Sequence, residues 1–209
     1  MTRDLAPLAR RTREIYERNA ARFDAERLRT GIESAWLSEF TEGLPAGAPV
    51  LDLGCGAGEP VAAWLIGAGF AVTGLDIAPA MLALARRRWP ACRWIEGDMR
   101  GLDLGETFDG ILGWHSFFHL TAKEQREALP AIAAHLRPGG ALMLTVGPEA
   151  GEVAGRVGDD PVYHASLSEA EYGEILAGQG IRIARFVRAD PGCDGATVLL
   201  GRKAAIPSS

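Results

Sequence analysis

The stretch VLDLGCGAGEP, residues 50–60, decides the fold class of this chain. It begins as an apolar strand, continues into three glycines separated by single residues, and leads into a helical segment. Glycine has no Cβ, so such a loop lets a ligand approach the backbone N–H groups closely. A strand, a glycine loop and a helix in this order are typical of the first unit of an α/β nucleotide-binding sheet. The loop therefore predicts a ligand site at the end of the first strand.

Short apolar runs alternate with helical stretches from this loop to about residue 147, which is typical of a parallel sheet. Helices are predicted over residues 60–68 and 79–89, and a third begins at a capping box of Thr121 and Glu124. The predicted parallel strands are PVLDLG, FAVTGLD, CRWIEGD, FDGILGW and GALMLTVG. Two later strands, IRIARFVRAD and ATVLLGRK, predict an antiparallel hairpin at the sheet edge.

The regions on either side of this core have patterns of their own. Residues 7–27 and 31–42 predict two helices that cover the site, the second entered through a capping box of Thr30 and Glu33. The segment GPEAGEVAGRVGDDPVYHAS is rich in glycine and acid, and it is predicted to be a long loop that is either mobile or functional. Ser168 is expected to cap a last helix.

The length of 209 residues predicts a single domain. We divide it into a helical cap (1–44), a cofactor-binding β-α core (45–147), and a part made of the substrate-side loop, last helix and C-terminal hairpin (148–209). Its three cysteines stand far apart, which indicates neither a disulfide framework nor a zinc ribbon, and a reducing cytoplasm is expected. The net charge of -5 argues against binding to nucleic acid, and no apolar run is long enough for a membrane span. A small molecule is the expected partner, and the oligomeric state stays open.

The glycine loop departs from the dinucleotide fingerprint G-x-G-x-x-G. The third glycine comes one residue early, Glu59 adds a negative charge, and Pro60 removes an N–H group that a phosphate would use. These features favour a cofactor without a phosphate and with a positively charged end. Asp76 ends the second strand, where its carboxylate can accept hydrogen bonds from both hydroxyls of a ribose. Acids at three consecutive strand ends, Asp52, Asp76 and Asp98, are hard to explain by packing.

Four segments in this order, LDLGCGAG, VTGLD, GDM and LRPGGALML, resemble the class I S-adenosylmethionine-dependent methyltransferases of the small-molecule type. The resemblance implies an α/β fold with a doubly wound, Rossmann-like sheet of seven mostly parallel strands in the order 3-2-1-4-5-7-6. Helices would cover both faces, and the C-terminal hairpin would be antiparallel. It also implies S-adenosylmethionine as the cofactor and S-adenosylhomocysteine as the product.

The resemblance assigns roles to individual residues. The three loop glycines would pass the methionine and ribose of the cofactor, and Asp52 would lie near its ammonium group. Asp76 would hold the ribose, and Asp98 would face the adenine amino group. Tyr16 would lie over the methionine end, and Trp114 would help to wall the site. The implied cofactor-binding residues are Tyr16, Asp52, Gly54, Gly56, Gly58, Asp76, Ile77, Met81, Asp98, Met99 and Trp114.

The segment GWHSFFHLT follows the fourth strand, where the substrate is expected to meet the reactive end of the cofactor. His115 and His119 are candidate general bases, with structural hydrogen bonding as the alternative. Their spacing of four suits a metal pair, but no glutamate or third ligand accompanies them, so no metal is predicted. The segment also lacks the N/D-P-P-Y/F motif of enzymes that methylate amino groups of DNA or glutamine. Candidate substrate contacts are Phe117, Phe118, Tyr163 and His164.

The predicted function is transfer of the sulfonium methyl group to a small-molecule acceptor by in-line displacement. Two other functions stay open at this point. One is a protein that binds S-adenosylmethionine without catalysis, and the other is a nicotinamide-dependent oxidoreductase on a similar sheet. The loop spacing speaks against the second.

Overall fold

The structure, a computed structural model, describes residues 5–27 and 30–206. Seven strands form one sheet in the order β3-β2-β1-β4-β5-β9-β8, and β6 and β7 form a separate antiparallel pair. The strands β1 to β5 run parallel, while β9 is antiparallel to both β5 and β8. The strands are β1 (Pro49–Leu53), β2 (Ala71–Asp76), β3 (Arg93–Glu96), β4 (Phe108–Gly113), β5 (Leu136–Val146), β6 (Gly151–Val157), β7 (Asp160–Ser166), β8 (Ile181–Asp190) and β9 (Ala196–Lys203).

Helices cover both faces of the sheet. Successive strand residues point to opposite faces, so Leu51 packs in one apolar cluster with α6 and α7, while Val50 packs in another with α3, α4 and α5. The helix α2 lies across the carboxyl ends of the strands and packs against α5. The helices are α1 (Ala6–Ala9), α2 (Thr12–Glu26), α3 (Ser34–Thr41), α4 (Val61–Gly67), α5 (Pro79–Arg88), α6 (Ala122–Ala134) and α7 (Glu169–Ala177).

The predicted fold class is confirmed. The strands β9 and β8 are the seventh and sixth strands of the main sheet along the chain, so its order is the expected 3-2-1-4-5-7-6. The capping box of Thr121 and Glu124 forms with both of its hydrogen bonds, and the Ser168 side chain accepts from the backbone of Glu171. Within the part of the chain that the structure describes, no helix is both long and apolar enough to cross a bilayer.

The predicted capping box of Thr30 and Glu33 is wrong. Gly31 has a φ of +71°, and its carbonyl accepts from Ser34 N in a turn, so α3 begins only at Ser34. Glu33 is the residue before the helix, and its side chain makes no capping bond. The predicted helix over residues 7–27 is also broken, since a turn at residues 10–11 separates α1 from α2.

The glycine-rich segment after β5 is not the long loop that its composition predicts. It folds into the hairpin β6–β7, which pairs continuously from Gly151 with Ser166 to Val157 with Asp160. Gly158 has a φ of +56°, which permits the tight turn between the strands. Val157 and Val162 pack against Ile15 of α2. This apolar contact buries part of the hairpin, which its polar composition does not predict.

Candidate cofactor and acceptor site

A cleft with about 990 Å³ of empty space lies at the carboxyl ends of β1, β2 and β4 and is covered by α2. The topology accounts for its place, because chain connections reverse direction between β1 and β4 and leave a crevice there. Ten of the eleven residues that the sequence assigns to the cofactor line this cleft; Gly58 does not. Those ten are Tyr16, Asp52, Gly54, Gly56, Asp76, Ile77, Met81, Asp98, Met99 and Trp114.

The glycine loop is held in a conformation that other residues rarely adopt. Gly54, Gly56 and Gly58 have φ values of +70°, +53° and +76°. A Cβ on Gly54 would lie 2.3 Å from the Cβ of Ser116, and one on Gly58 would press on Trp94 and Trp89. Nothing lies within 4 Å of the Cβ position of Gly56, so this residue faces open space. Gly54 and Gly58 therefore serve packing, and Gly56 leaves room for a ligand.

Asp76 organises the same loop. Its Oδ2 accepts a hydrogen bond from Gly56 N at 2.8 Å, and its Oδ1 accepts one from Ala78 N at 2.8 Å. Burial raises the pKa of this carboxyl group, while the backbone hydrogen bonds act in the opposite direction. Carboxylate oxygens accept more than one bond, so Asp76 can hold the loop and still accept from a ligand in the cleft.

Asp52 lies at the base of the cleft and is only 2% exposed. Within residues 5–27 and 30–206, no hydrogen-bond donor or ion-pair partner to its carboxylate is found, yet its oxygens are not sealed from the cleft. Burial, with a smaller contribution from the charge of Asp76, raises the pKa of Asp52 to about 7. A buried acid of this kind is suited to a cationic ligand, which supplies a positive charge and the hydrogen-bond donors that the described residues do not supply.

Other parts of the cleft have a different character. Ile77, Met81 and Met99 supply apolar surface, which suits a flat aromatic base. The Asp98 side chain is 42% exposed, and its Oδ1 accepts from both the backbone N and Nε of Arg100 at 3.0 Å. Asp98 therefore reaches the cleft from its rim.

Tyr16 of α2 contacts His119, and both residues line the cleft. The Tyr16 hydroxyl lies 2.8 Å from Nε2 of His119, and Nδ1 of His119 lies 3.0 Å from the carbonyl oxygen of Tyr163. A carbonyl only accepts, so Nδ1 carries the proton and Nε2 accepts from the hydroxyl of Tyr16. Burial lowers the pKa of His119 to about 4. Both ring nitrogens are thus engaged, and the imidazole is neutral.

His115 is held differently. Its backbone has a φ of +53°, and its N–H donates to the Thr145 hydroxyl at 2.6 Å. In the part of the chain that the structure describes, its ring nitrogens make no hydrogen bond, and the ring packs against Trp114 and Phe118. Burial lowers the pKa of His115 to about 4. Of the two histidines, it is the one with a ring nitrogen left to accept a proton.

The four candidate substrate residues do not line the cleft. Phe117 is fully buried in the core beneath the sheet edge, and Tyr163 packs against α1, because both face away from the ligand space. Phe118 stacks on His164 with ring centroids 4.4 Å apart, and each ring also packs on His119. The structure thus places Phe118 and His164 behind His119, where they support it.

Comparisons with known proteins address the family. A family model described as a methyltransferase domain matches residues 50–140. A 2-phytyl-1,4-naphtoquinone methyltransferase of Thermosynechococcus vestitus is 36% identical over 107 residues, which is 46% of this chain and 48% of that protein. A dTDP-3-amino-3,6-dideoxy-alpha-D-glucopyranose N,N-dimethyltransferase of Streptomyces fradiae is 35% identical over 102 residues, 48% of this chain and 40% of that protein. The matched stretches thus span less than half the length of these two relatives.

The full fold also has solved counterparts. The structure of an amino pentose methyltransferase from Micromonospora echinaspora, solved with S-adenosylmethionine bound, matches with a TM-score of 0.68 at 26% identity. The match covers 90% of this chain and 96% of that one. Residues 50–140 thus match a methyltransferase domain, and the chain has the Rossmann-like methyltransferase fold. The family model ends before β6, so the hairpin β6–β7 lies outside the part of the methyltransferase domain that it matches.

The structure adds residues of the cleft that sequence reasoning missed. Phe23 and Arg27 line the cleft beside Tyr16, and the three lie on one face of α2 or just after its end. Their spacing of seven and four follows the helical period, which is the signal that could have found them. Among the described residues, no three His, Cys, Asp or Glu side chains come together as a metal site.

Proposed function

We propose that this chain binds S-adenosylmethionine in the cleft and transfers its methyl group to a small-molecule acceptor, releasing S-adenosylhomocysteine. The observation that carries the proposal is the buried Asp52 carboxylate, which opens on the cleft and has no hydrogen-bond donor among the described residues. A ligand with an ammonium group at one end and an uncharged ribose and base at the other meets this need. The match of residues 50–140 to a methyltransferase domain and the bound ligand of the amino pentose methyltransferase support the same conclusion.

The residues present fit such a cofactor. Asp52 would hold the ammonium group, Asp76 the ribose hydroxyls and Asp98 the adenine amino group. Gly56 leaves the space that a side chain would fill, and Met81 provides apolar surface for the base. Glu59 adds a negative charge after the loop and Pro60 has no N–H to donate, and both features disfavour a pyrophosphate.

When bound, the cofactor supplies an electrophilic methyl group on a sulfonium that is already a good leaving group. The chain's own residues therefore need mainly to orient the reactants and to exclude water. Trp114, Phe23 and Tyr16 wall the cleft at this end. His115 would accept a proton from the acceptor, since its ring is neutral and its nitrogens are unbonded within the described residues. His119 would position Tyr16.

The acceptor class follows from what the relatives are named for. One relative is named for a naphthoquinone, and another for an amino sugar carried on dTDP. Both are small molecules, and we propose an acceptor of this class here.

Calorimetric titration with S-adenosylmethionine and S-adenosylhomocysteine, with NADH as a control ligand, tests the cofactor. We expect micromolar binding of both adenosyl compounds and none of NADH. Asp76→Ala is expected to abolish this binding with the fold retained in circular dichroism, while Asp103→Ala, an exposed acid outside the cleft, leaves it unchanged. Undiminished binding in Asp76→Ala would refute the ribose assignment.

Release of S-adenosylhomocysteine in the presence of a panel of amines, quinones and alcohols tests catalysis. Turnover that depends on one acceptor class supports a transferase. Tight cofactor binding with no turnover across the panel favours the non-catalytic alternative, and NADH binding in place of the adenosyl compounds favours the oxidoreductase.

A further inference from the structure

A second cavity adjoins the cofactor cleft. It has about 950 Å³ of empty space and shares four lining residues with the cleft: Phe23, Arg27, Trp114 and His115. Its walls are α2, the turn of the hairpin β6–β7 and the short 3₁₀ turn Pro191–Cys193. A molecule in this cavity would meet the cofactor cleft beside His115, so the second cavity is the natural place for the acceptor.

One carboxylate in this cavity has an unusual environment. Glu33 lines the cavity and is only 5% exposed. Within residues 5–27 and 30–206, no donor bonds its side chain and no ion pair includes it. Two side-chain polar atoms in that part of the chain are both sealed from solvent and without a hydrogen bond: Trp89 Nε1 and the Tyr163 hydroxyl. The Glu33 oxygens are not sealed in this way. The carboxylate therefore keeps contact with the open space of the cavity.

Neighbouring acids increase the negative potential at this place. Burial raises the pKa of the Cys193 thiol to about 11, and the charges of Asp190, Glu33 and Asp194 act in the same direction. Asp190 is satisfied by Trp36 Nε1 and Gly192 N, both within 2.9 Å. Glu33 has no such donor among the described residues.

The cations at the hairpin side of the cavity already have partners. Arg22 donates to Glu26 and to Asp159, and Arg156 donates to the backbone carbonyl of Asp159. Arg27 also lines the cavity and has interactions of its own, so within the described residues no cation is paired with the Glu33 carboxylate. A carboxylate in such a place is stabilised by a cation that brings hydrogen-bond donors to it.

We propose that Glu33 recognises a positively charged amino group of the acceptor, which occupies the second cavity. This inference rests on the proposed function, since it assumes that the adjoining cleft holds the cofactor. The amino group would donate charge-assisted hydrogen bonds to the Glu33 carboxylate, while Phe23 and Trp114 pack on the rest of the molecule. Glu33 is thus a specificity residue that lines the second cavity and not the cofactor cleft.

Two fluorinated probes test this proposal on the full chain saturated with S-adenosylhomocysteine. The probes are 4-fluorobenzylamine, which is a cation at pH 7.5, and its neutral counterpart 4-fluorobenzyl alcohol. Affinity is read from ¹⁹F line broadening. We expect the wild-type protein to bind the amine at least about tenfold more tightly than the alcohol, as a charge-assisted bond provides. This comparison requires no variant.

Variants then locate the preference. In Glu33→Gln the ratio is expected to fall below about threefold, and Glu33→Asp, which keeps the charge but shortens the side chain, should retain part of it. The matched control is Glu26→Gln, an acid on the same cavity that Arg22 already satisfies, and it should keep the wild-type ratio. Equal binding of both probes to the wild type, or an unchanged ratio in Glu33→Gln, would overturn the proposal.

Titration of each variant with S-adenosylhomocysteine separates this proposal from the proposed function. Glu33→Gln should bind that ligand like the wild type, because Glu33 does not line the cofactor cleft. If the wild type fails to bind it, the proposed function fails whatever the amine does. If the ligand binds and the amine preference is missing, only the role of Glu33 is refuted.

Discussion

The Tyr16 hydroxyl donates a hydrogen bond to Nε2 of His119 at 2.8 Å, although 103 positions separate the two residues. The other ring nitrogen of His119 donates to the carbonyl oxygen of Tyr163 in β7. One imidazole thus joins the helix over the cleft, the turn after β4 and the hairpin β6–β7. Neither contact involves a charged group, and burial lowers the pKa of His119 to about 4, which keeps its ring neutral.

Removing the Tyr16 hydroxyl is expected to raise the pKa of His119 from about 4. The lost hydrogen bond favours the neutral ring, so the protonated form gains when it is absent. The change is Tyr16→Phe, and the measurement is an NMR pH titration of the histidine ring signals. The matched control is Tyr163→Phe, because His119 bonds to the backbone of Tyr163 and not to its hydroxyl. An unchanged His119 pKa in Tyr16→Phe would contradict the assignment.

Asp52→Asn is expected to stabilise the ligand-free protein at pH 8 while weakening its binding of S-adenosylmethionine. The folded-state pKa of Asp52 is about 7 and its ordinary value is 3.8, so the folded protein holds a proton that the unfolded chain has released. Stability from this group therefore falls as pH rises from about 4 to about 7, and the full penalty remains above 7.

Thermal unfolding at two pH values checks this prediction. At pH 8 the Asn variant should unfold roughly 3–10 °C above the wild type, and at pH 5 the difference should be clearly smaller. His115 and His119, whose lowered pKa values change stability in the opposite direction, are present in both proteins and drop out of the comparison. Asp103→Asn serves as the control at an exposed acid. A pH-independent difference would show that Asp52 is not the titrating group.

Alanine at two glycines of the loop should have different effects. Gly54→Ala adds a Cβ at 2.3 Å from Ser116 Cβ on a backbone with a φ of +70°, and we expect a loss of about 3 kcal/mol or more. Gly56→Ala has only the backbone strain, of about 1 kcal/mol, and its methyl group enters ligand space. Urea unfolding and cofactor titration separate the two effects. Similar losses of stability in both variants would argue against the clash with Ser116.

Polar contacts tie α2 to the turn of the hairpin. Asp160 accepts from Arg18 and Asn19, and Asp159 accepts from Arg22. These groups lie at the surface, so Asp160→Ala should change the unfolding temperature little. It should nevertheless speed hydrogen exchange of the α2 amides and the release of bound cofactor, because the helix covers the cleft.

The control for this prediction is Glu106→Gln, which removes a surface ion pair with Arg93 that does not involve α2. It should leave exchange in α2 unchanged. If both variants show the same exchange in α2 as the wild type, the contacts with the hairpin do not hold the helix over the cleft.

Local patterns predicted most of the sheet. The glycine loop, the acids at the ends of β1 and β2, and the capping box at Thr121 depend on residues close together in sequence, and each forms as expected. The N-terminal capping box failed for a local reason as well, because Gly31 adopts a positive φ and delays the helix to Ser34.

Long-range contacts set the limit of sequence reasoning. The hairpin β6–β7 is rich in glycine and charge, and its strands are stabilised by contact with Ile15, almost 150 residues earlier. Sequence reasoning also could not place the side chains of Phe117 and Phe118, since neighbours in an aromatic run can point in opposite directions. Only the backbone turn after β4 places one in the core and the other against His164.

The sequence by itself determined the alternation of strands and helices and the glycine loop, because apolar periodicity and glycine geometry act over a few residues. The strand order and the residues assigned to the cofactor came from the resemblance of its motifs to the class I methyltransferases. The tertiary structure alone decided which histidine has ring nitrogens without a hydrogen bond among the described residues, that Glu33 faces a second cavity, and how α2 is held over the site. Those properties depend on burial and on partners contributed by distant segments. Neither can be read from a residue and its neighbours, because desolvation and hydrogen bonding are set by what the fold brings together.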